Sequence, residues 1–250
     1  MRPFAELRLP GYHEFVTQTL GTAIAAVLTA LATAVVIVAI AILPFLSPAW
    51  VDFDQGLAGS IGATGYTHDE LRTATESILA DLVVGPPDFD VVIRGEPVLN
   101  DRERAHMRDV RSVFAGFAIL ALVSAVGLVA AYAGARRLGH PERAWAAIRR
   151  GALGLSIGVV AGGVVAYFAF DTLFELFHRL FFPGGTYNFN PATDRLVQLF
   201  PDAFWSETTM AVGALILLIS LVVARVAGER SHPATERRPT SGAVAAEPAR

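Results

Sequence analysis

The chain has 250 residues, of which 53% are hydrophobic and only 17% charged, with a mean hydropathy of +0.48. A water-soluble domain carries about 25% charged residues, so an ordinary soluble enzyme is disfavoured, and a net charge of −3 with a pI near 6.1 gives no reason to expect nucleic acid as a partner. Cysteine is absent, which excludes disulfides, thiolate nucleophiles, acyl-thioester intermediates and cysteine metal sites.

Four stretches carry no charge: between Glu14 and Asp52, Arg111 and Arg136, Arg150 and Asp171, and Glu207 and Arg225. A bilayer-crossing helix needs about 17 to 25 apolar residues, so the sequence predicts transmembrane helices near 20–45, 112–135, 151–170 and 208–225. The first run follows Arg2 and Arg8, as a signal peptide's core would, but it is far longer than the 7–15 residues such a core uses. The expected fold is a mainly α membrane protein, with four transmembrane helices and a small α+β extracytoplasmic cap. Its divisions are 1–45 (N-terminus and first helix), 46–111 (cap), 112–135 (second helix) and 136–150 (arginine-rich loop). They continue with 151–170 (third helix), 171–207 (aromatic-rich outer segment), 208–225 (fourth helix) and 226–250 (disordered tail).

Arginine density sets the expected orientation. Segments 1–14, 136–150 and 225–250 hold 12 arginines in 55 residues, whereas 46–111 and 171–207 hold 8 in 103. Both termini and the 136–150 loop are therefore expected in the cytoplasm.

In the first outer segment, Thr67 and Glu70 have capping-box spacing, and Leu71, Ala74, Ile78, Leu79 and Leu82 recur at helical intervals. Gly85-Pro86-Pro87 ends that helix. Val91-Val92-Ile93 and Val98-Leu99 read as short strands around a turn at 94–97. Asn100 and Glu103 open a second helix that runs through His106 into the second span without a breaker.

The third span carries Gly154, Gly158 and Gly162, a small-xxx-small pattern for close helix approach. Gly154-Leu155-Ser156-Ile157-Gly158 matches the hydrolase G-x-S-x-G string, but inside a membrane helix it lacks the strand-turn-helix elbow the chemistry requires. Beyond the span, Phe174, Phe177, His178 and Phe181 fall on one helix face, and Pro183-Gly184-Gly185 ends the helix.

Of six histidines, His13, His140 and His232 lie on the expected cytoplasmic side, and His68 fits a surface position in a helix's first turn. His106 stands about 9 Å above the second span and His178 about 12 Å above the third, at 1.5 Å per residue. Both are expected where cap meets outer leaflet. Two imidazoles at one layer suit paired general acid and base work. Glu103 and Asp109, at i−3 and i+3, are candidates to orient His106, and Glu175 at i−3 to orient His178. A zinc site is disfavoured because no H-E-x-x-H spacing occurs, and a transporter because the spans' cores hold no ionisable group.

The strings Asn100-Asp101-Arg102-Glu103-Arg104-Ala105-His106-Met107-Arg108-Asp109-Val110 and Phe174-Glu175-Leu176-Phe177-His178-Arg179-Leu180-Phe181-Phe182 resemble the lipoprotein intramolecular transacylase (Lit) family. Asn188-Phe189-Asn190-Pro191, Asp194-Arg195-Leu196, Phe200-Pro201-Asp202-Ala203-Phe204-Trp205 and Tyr66-Thr67-His68-Asp69-Glu70-Leu71 continue the likeness, which covers about 16–225. Tyr187 stands where many members carry tryptophan.

The resemblance implies a multi-pass protein of the bacterial cell membrane with its site at the outer leaflet and His106 and His178 as catalytic residues. Its partners would be diacylglyceryl-modified bacterial lipoproteins, as substrate, and membrane lipid. The sn-2 acyl chain would move to the amine of that molecule's own N-terminal cysteine, leaving the lyso form. Tyr66, Phe174, Phe177, Phe181, Tyr187, Phe204 and Trp205 would line the pocket. An ester-to-amide transfer is downhill, so no cofactor is expected, and donor and acceptor share one molecule, so no enzyme nucleophile is needed. Which histidine is base and which acid stays open at this point. The alternatives are another interfacial lipid-modifying enzyme and a non-enzymatic integral membrane assembly protein.

Overall fold

In the computed structural model the described residues are 12–182 and 184–232. Residues 1–11, Pro183 and the tail from 233 onward lie outside them, and with them most of the expected disordered tail. Four long helices dominate: α1 (Tyr12–Ile42), α5 (Asp101–Arg137), α6 (Pro141–Phe181) and α8 (Asp202–Ser231), the order leaving α2–α4 and α7 for the cap. Each long helix has an apolar stretch able to cross a membrane. α6 packs most extensively on α8, and α1 bridges α5 and α6. The interior of this bundle is small, built on Ile37, Ala41, Ala152, Ile216 and Ala224, because most apolar side chains face outward to lipid.

After α1, a 3-10 turn (Leu43–Leu46) leads to α2 (Pro48–Ala58), whose first turn is capped by Ser47 Oγ accepting from the Trp50 amide at 3.3 Å. A left-handed Gly59 (φ 78°) ends α2, and α3 (Ser60–Thr64) follows directly. α4 (His68–Val83) begins with the predicted capping box: Thr67 Oγ1 accepts from the Glu70 amide, and Glu70 Oε2 from the Thr67 amide at 2.9 Å. Its predicted apolar face is buried.

The strands are shorter than expected and their turn is tighter. β1 (Val92–Ile93) pairs antiparallel with β2 (Glu96–Pro97), so the turn is Arg94-Gly95 alone, not 94–97. Both turn residues have positive φ, 56° and 81°, the two-residue turn whose twist matches paired strands.

α5 opens on the second predicted capping box, at Asn100 and Glu103. Its 37 residues extend about 55 Å, well beyond a hydrocarbon core of about 30 Å. The charges stop at Arg111, so the turns before it, His106 included, form a stalk outside the membrane-spanning part. Arg111 fixes the base of that stalk by donating to the Asp81 and Gly85 carbonyls behind α4.

The cap has its own core, with Leu71, Ile78, Phe89, Val98, Leu99 and Leu199 at its centre. A buried polar clamp closes it: Gln55 Nε2 and Ser60 Oγ both donate to the Leu199 carbonyl of α7 (Arg195–Leu199), and Thr75 Oγ1 donates to Gln55 Oε1. Thr208 Oγ1 donates to buried Asp54 at 2.5 Å and ties α8 to α2; burial pushes the Asp54 carboxyl up.

Two expectations need correction. Gly154, Gly158 and Gly162 meet no neighbour; the close approach is at Gly151, where an added Cβ would lie 2.8 Å from Ala30 Cα of α1. α8 continues to Ser231, past the expected boundary at 226, with Ala227 buried and an Arg225–Glu229 pair supporting the extra turns.

Candidate active site

α6 is not straight: Ala169 has non-helical dihedrals (φ −141°, ψ 37°), and the turns beyond this kink carry His178. The two singled-out imidazoles meet. The rings of His106 and His178 stack with centroids 6.1 Å apart and planes 24° apart.

Their surroundings differ. His178 is half-buried, and its Nδ1 lies 2.7 Å from the Phe174 carbonyl oxygen, one turn back. A carbonyl only accepts, so Nδ1 carries the hydrogen, and a neutral His178 has its lone pair on Nε2. His106 is 5% exposed, and its buried Nδ1 has no partner among the described residues. Burial, with the neighbouring His178 adding to it and Asp109 opposing, pulls its pKa down to about 4. At neutral pH it is an uncharged imidazole.

Aromatic rings enclose the pair. His178 lies against Phe174 (4.2 Å), Tyr187 (5.0 Å) and Phe177 (5.5 Å). Phe182, 4.8 Å from His106 and 5.6 Å from His178, touches both, and Phe189 packs 5.5 Å from His106. These last two were missed as pocket residues. Phe182 had a readable signal, standing four residues after His178. Phe189 had none locally: it is held by the Arg102 guanidinium 5.0 Å above its ring, and Arg102 is paired with Asp194.

The other expected pocket residues are spread out. Phe181 stacks on Phe177 at the half-exposed edge, and Trp205 reaches the site only through Phe174, at 6.1 Å. Phe204 is buried in the cap core beneath Phe200 and Trp205. Tyr66 also belongs to that core, with the Arg94 and Arg195 guanidinium groups over its ring.

The carboxylates do not hold the rings by hydrogen bonds. Glu103, expected to orient His106, accepts from the Leu196 amide at 2.6 Å and the Asn100 amide at 2.8 Å. It fastens α7 to the start of α5, and burial pushes its carboxyl up despite those donors. Glu175 accepts from Arg179 Nε and the Tyr187 hydroxyl rather than from His178; Arg179 holds it below the usual carboxylate range. Asp109 accepts from Thr186 Oγ1 at 3.4 Å and reaches His106 only through its charge. Ser156 donates to the Ala152 carbonyl within α6, as a helix residue and not as an elbow nucleophile.

Four apolar helices, a cap, and two stacked imidazoles walled by aromatics define an integral membrane protein with a paired-histidine pocket at the cap–bundle junction. The sequence model of the family "Lipoprotein intramolecular transacylase Lit" matches residues 20–205. The chain belongs to that family and is a transacylase. Solved structures of the membrane integral lipoprotein intramolecular transacylase Lit from Bacillus cereus are similar in fold. One has a TM-score of 0.70 at 17% identity, covering 85% of this chain and 96% of that one. Two forms with one histidine replaced, by arginine or by alanine, give TM-scores of 0.69 and 0.68 at 17% identity, covering 88% and 86% of this chain and 96% of theirs. No match is found among curated proteins.

Proposed function

We propose that this protein moves the sn-2 acyl chain of a diacylglyceryl-modified lipoprotein onto the α-amine of the same molecule's N-terminal cysteine, at the outer leaflet of a bacterial cell membrane. The observation that carries the mechanism is the His106–His178 stack with Nδ1–H of His178 fixed on the Phe174 carbonyl. That bond aims the basic Nε2 of His178 away from the helix. The free amine attacks the ester carbonyl carbon, and His178 Nε2 takes the amine proton. The carbon–oxygen bond to glycerol then breaks, and the glyceryl oxygen receives that proton as the amide forms. His106, uncharged at neutral pH, donates its single N–H to the carbonyl oxygen where charge develops, the part a neutral imidazole plays best when its pKa is low. Phe174, Phe177, Phe182 and Tyr187 keep water from competing with the amine for the ester.

Mass spectrometry of a reporter lipoprotein's N-terminus, from cells with and without the protein, tests this reading. The expected product is an N-acylated lyso form that disappears in His178→Ala and His106→Ala, with each variant still inserted. A terminus that stays diacylated with a free amine beside well-expressed protein overturns the transfer. Product that persists in His178→Ala overturns the base assignment.

A further inference from the structure

At the end of the bundle opposite the histidines, a groove of about 390 Å³ is formed by residues of α6 and α8. Leu153, Leu221 and Ala224 give it apolar lining, and Arg149, Arg225, Gly228, Glu229 and His232 complete it. Arg149 is laid against bare backbone: a Cβ at Gly228 would meet its Nε at 3.2 Å and its Cδ at 3.4 Å. Gly228 therefore lets the arginine shaft lie close to α8 and holds its guanidinium over the groove. Arg149 enters no ion pair among the described residues, while Arg225 makes a solvent-exposed pair with Glu229 at 3.3 Å.

The depth of these charges is informative. Trp145 stacks edge-on to Tyr132 and carries the Arg230 guanidinium 4.7 Å from its ring. Tryptophan and tyrosine settle at the headgroup level of a bilayer, so this cluster marks the interface. Arg149 lies one helical turn, about 6 Å, closer to the bilayer centre, directly above Leu153. An arginine at the end of a membrane helix extends its guanidinium to the headgroup layer, and its planar fork matches phosphate oxygens.

We infer that this groove binds a net-anionic glycerophospholipid of the adjoining leaflet, its phosphate between Arg149 and Arg225 and one acyl chain along Leu153 and Leu221. Basic pockets between membrane helices are suited to such headgroups. The inference rests on the four-span architecture and not on the transacylase reaction, so either can fail alone.

The test is thermal unfolding of the full chain in dodecyl maltoside with added dioleoyl phosphatidylglycerol, dioleoyl phosphatidylcholine or inorganic phosphate, since a ligand of the folded state raises Tm with its concentration. Phosphatidylglycerol is expected to give a saturable rise that the other two do not match. Arg149→Gln and Arg225→Gln are each expected to weaken its apparent affinity tenfold or more. Arg143→Gln, at the same end but outside the groove, is expected to leave it unchanged. Equal shifts from phosphatidylcholine or from inorganic phosphate overturn the inference. So does a phosphatidylglycerol response that survives Arg149→Gln and Arg225→Gln, or one that falls equally in Arg143→Gln.

Discussion

His106 is held uncharged by its burial, and that has a cost when protons are abundant. Its pKa falls from the ordinary 6.5 to about 4. Between those values the unfolded chain binds a proton that the folded chain refuses, so stability rises with pH through this window. The contribution is whole above about 6.5 and is lost as pH falls through the window, amounting to about 3 kcal/mol by the time pH is below 4. His106→Phe, which places a ring without a titrating group against Phe182 and Phe189, is therefore expected to flatten the fall of Tm between pH 6.5 and 4. Parallel curves for the two proteins would show that His106 is not the group responsible. Glu103 separates positioning from folding in the same way. Gln at 103 keeps one acceptor but turns an amide N–H toward the Leu196 or Asn100 amide, a mismatch costing about 1–3 kcal/mol. Glu103→Gln is expected to lower Tm while the protein that remains folded keeps its kcat. A lost kcat at unchanged Tm would restore Glu103 as an orienting residue. Spacing alone suggested that role, because i−3 neighbours are adjacent on a helix; the true partner, Leu196, is 93 positions away and invisible to local reading.

At the scale of elements, what could be read was what the chain determines locally. Both capping boxes, the α4 face and the unbroken run from Asn100 into the second span need only residues three or four apart, and all are present. The kink at Ala169 was not legible, since no proline or glycine marks it. Nor was the α1–α6 crossing point, because a stripe of glycines says that approach is possible on one face but not where a second helix crosses. The structure puts that crossing at Gly151, against the Ala30 backbone, while Gly158 has open space around it. Gly151→Ala is expected to force α1 and α6 apart at a cost of about 1–3 kcal/mol, read as a clear drop in Tm. Gly158→Ala, facing nothing, is expected to stay within about 0.5 kcal/mol of the parent. If the two behave alike, or Gly158→Ala is the worse, the helices cross elsewhere.

For the whole molecule, the way the chain threads the membrane follows from charge rather than from packing. The end bearing the α5–α6 turn and the end of α8 concentrates Arg136, Arg137, Arg143, Arg149, Arg150, Arg225 and Arg230, whereas the cap end mixes arginine with most of the acidic residues. Arginine-rich loops stay on the cytoplasmic side, so the cap and the imidazole pair are expected outside. The absence of cysteine makes this directly testable, since any introduced thiol is the sole target for a maleimide. Glu96, exposed on the hairpin, and Leu138, exposed at the end of α5, lie at opposite ends of the molecule. In protoplasts, a membrane-impermeant maleimide is expected to label Glu96→Cys at once and Leu138→Cys only after permeabilisation. The opposite pattern would put His106 and His178 on the cytoplasmic leaflet, and an outer-leaflet acyl transfer could not take place there.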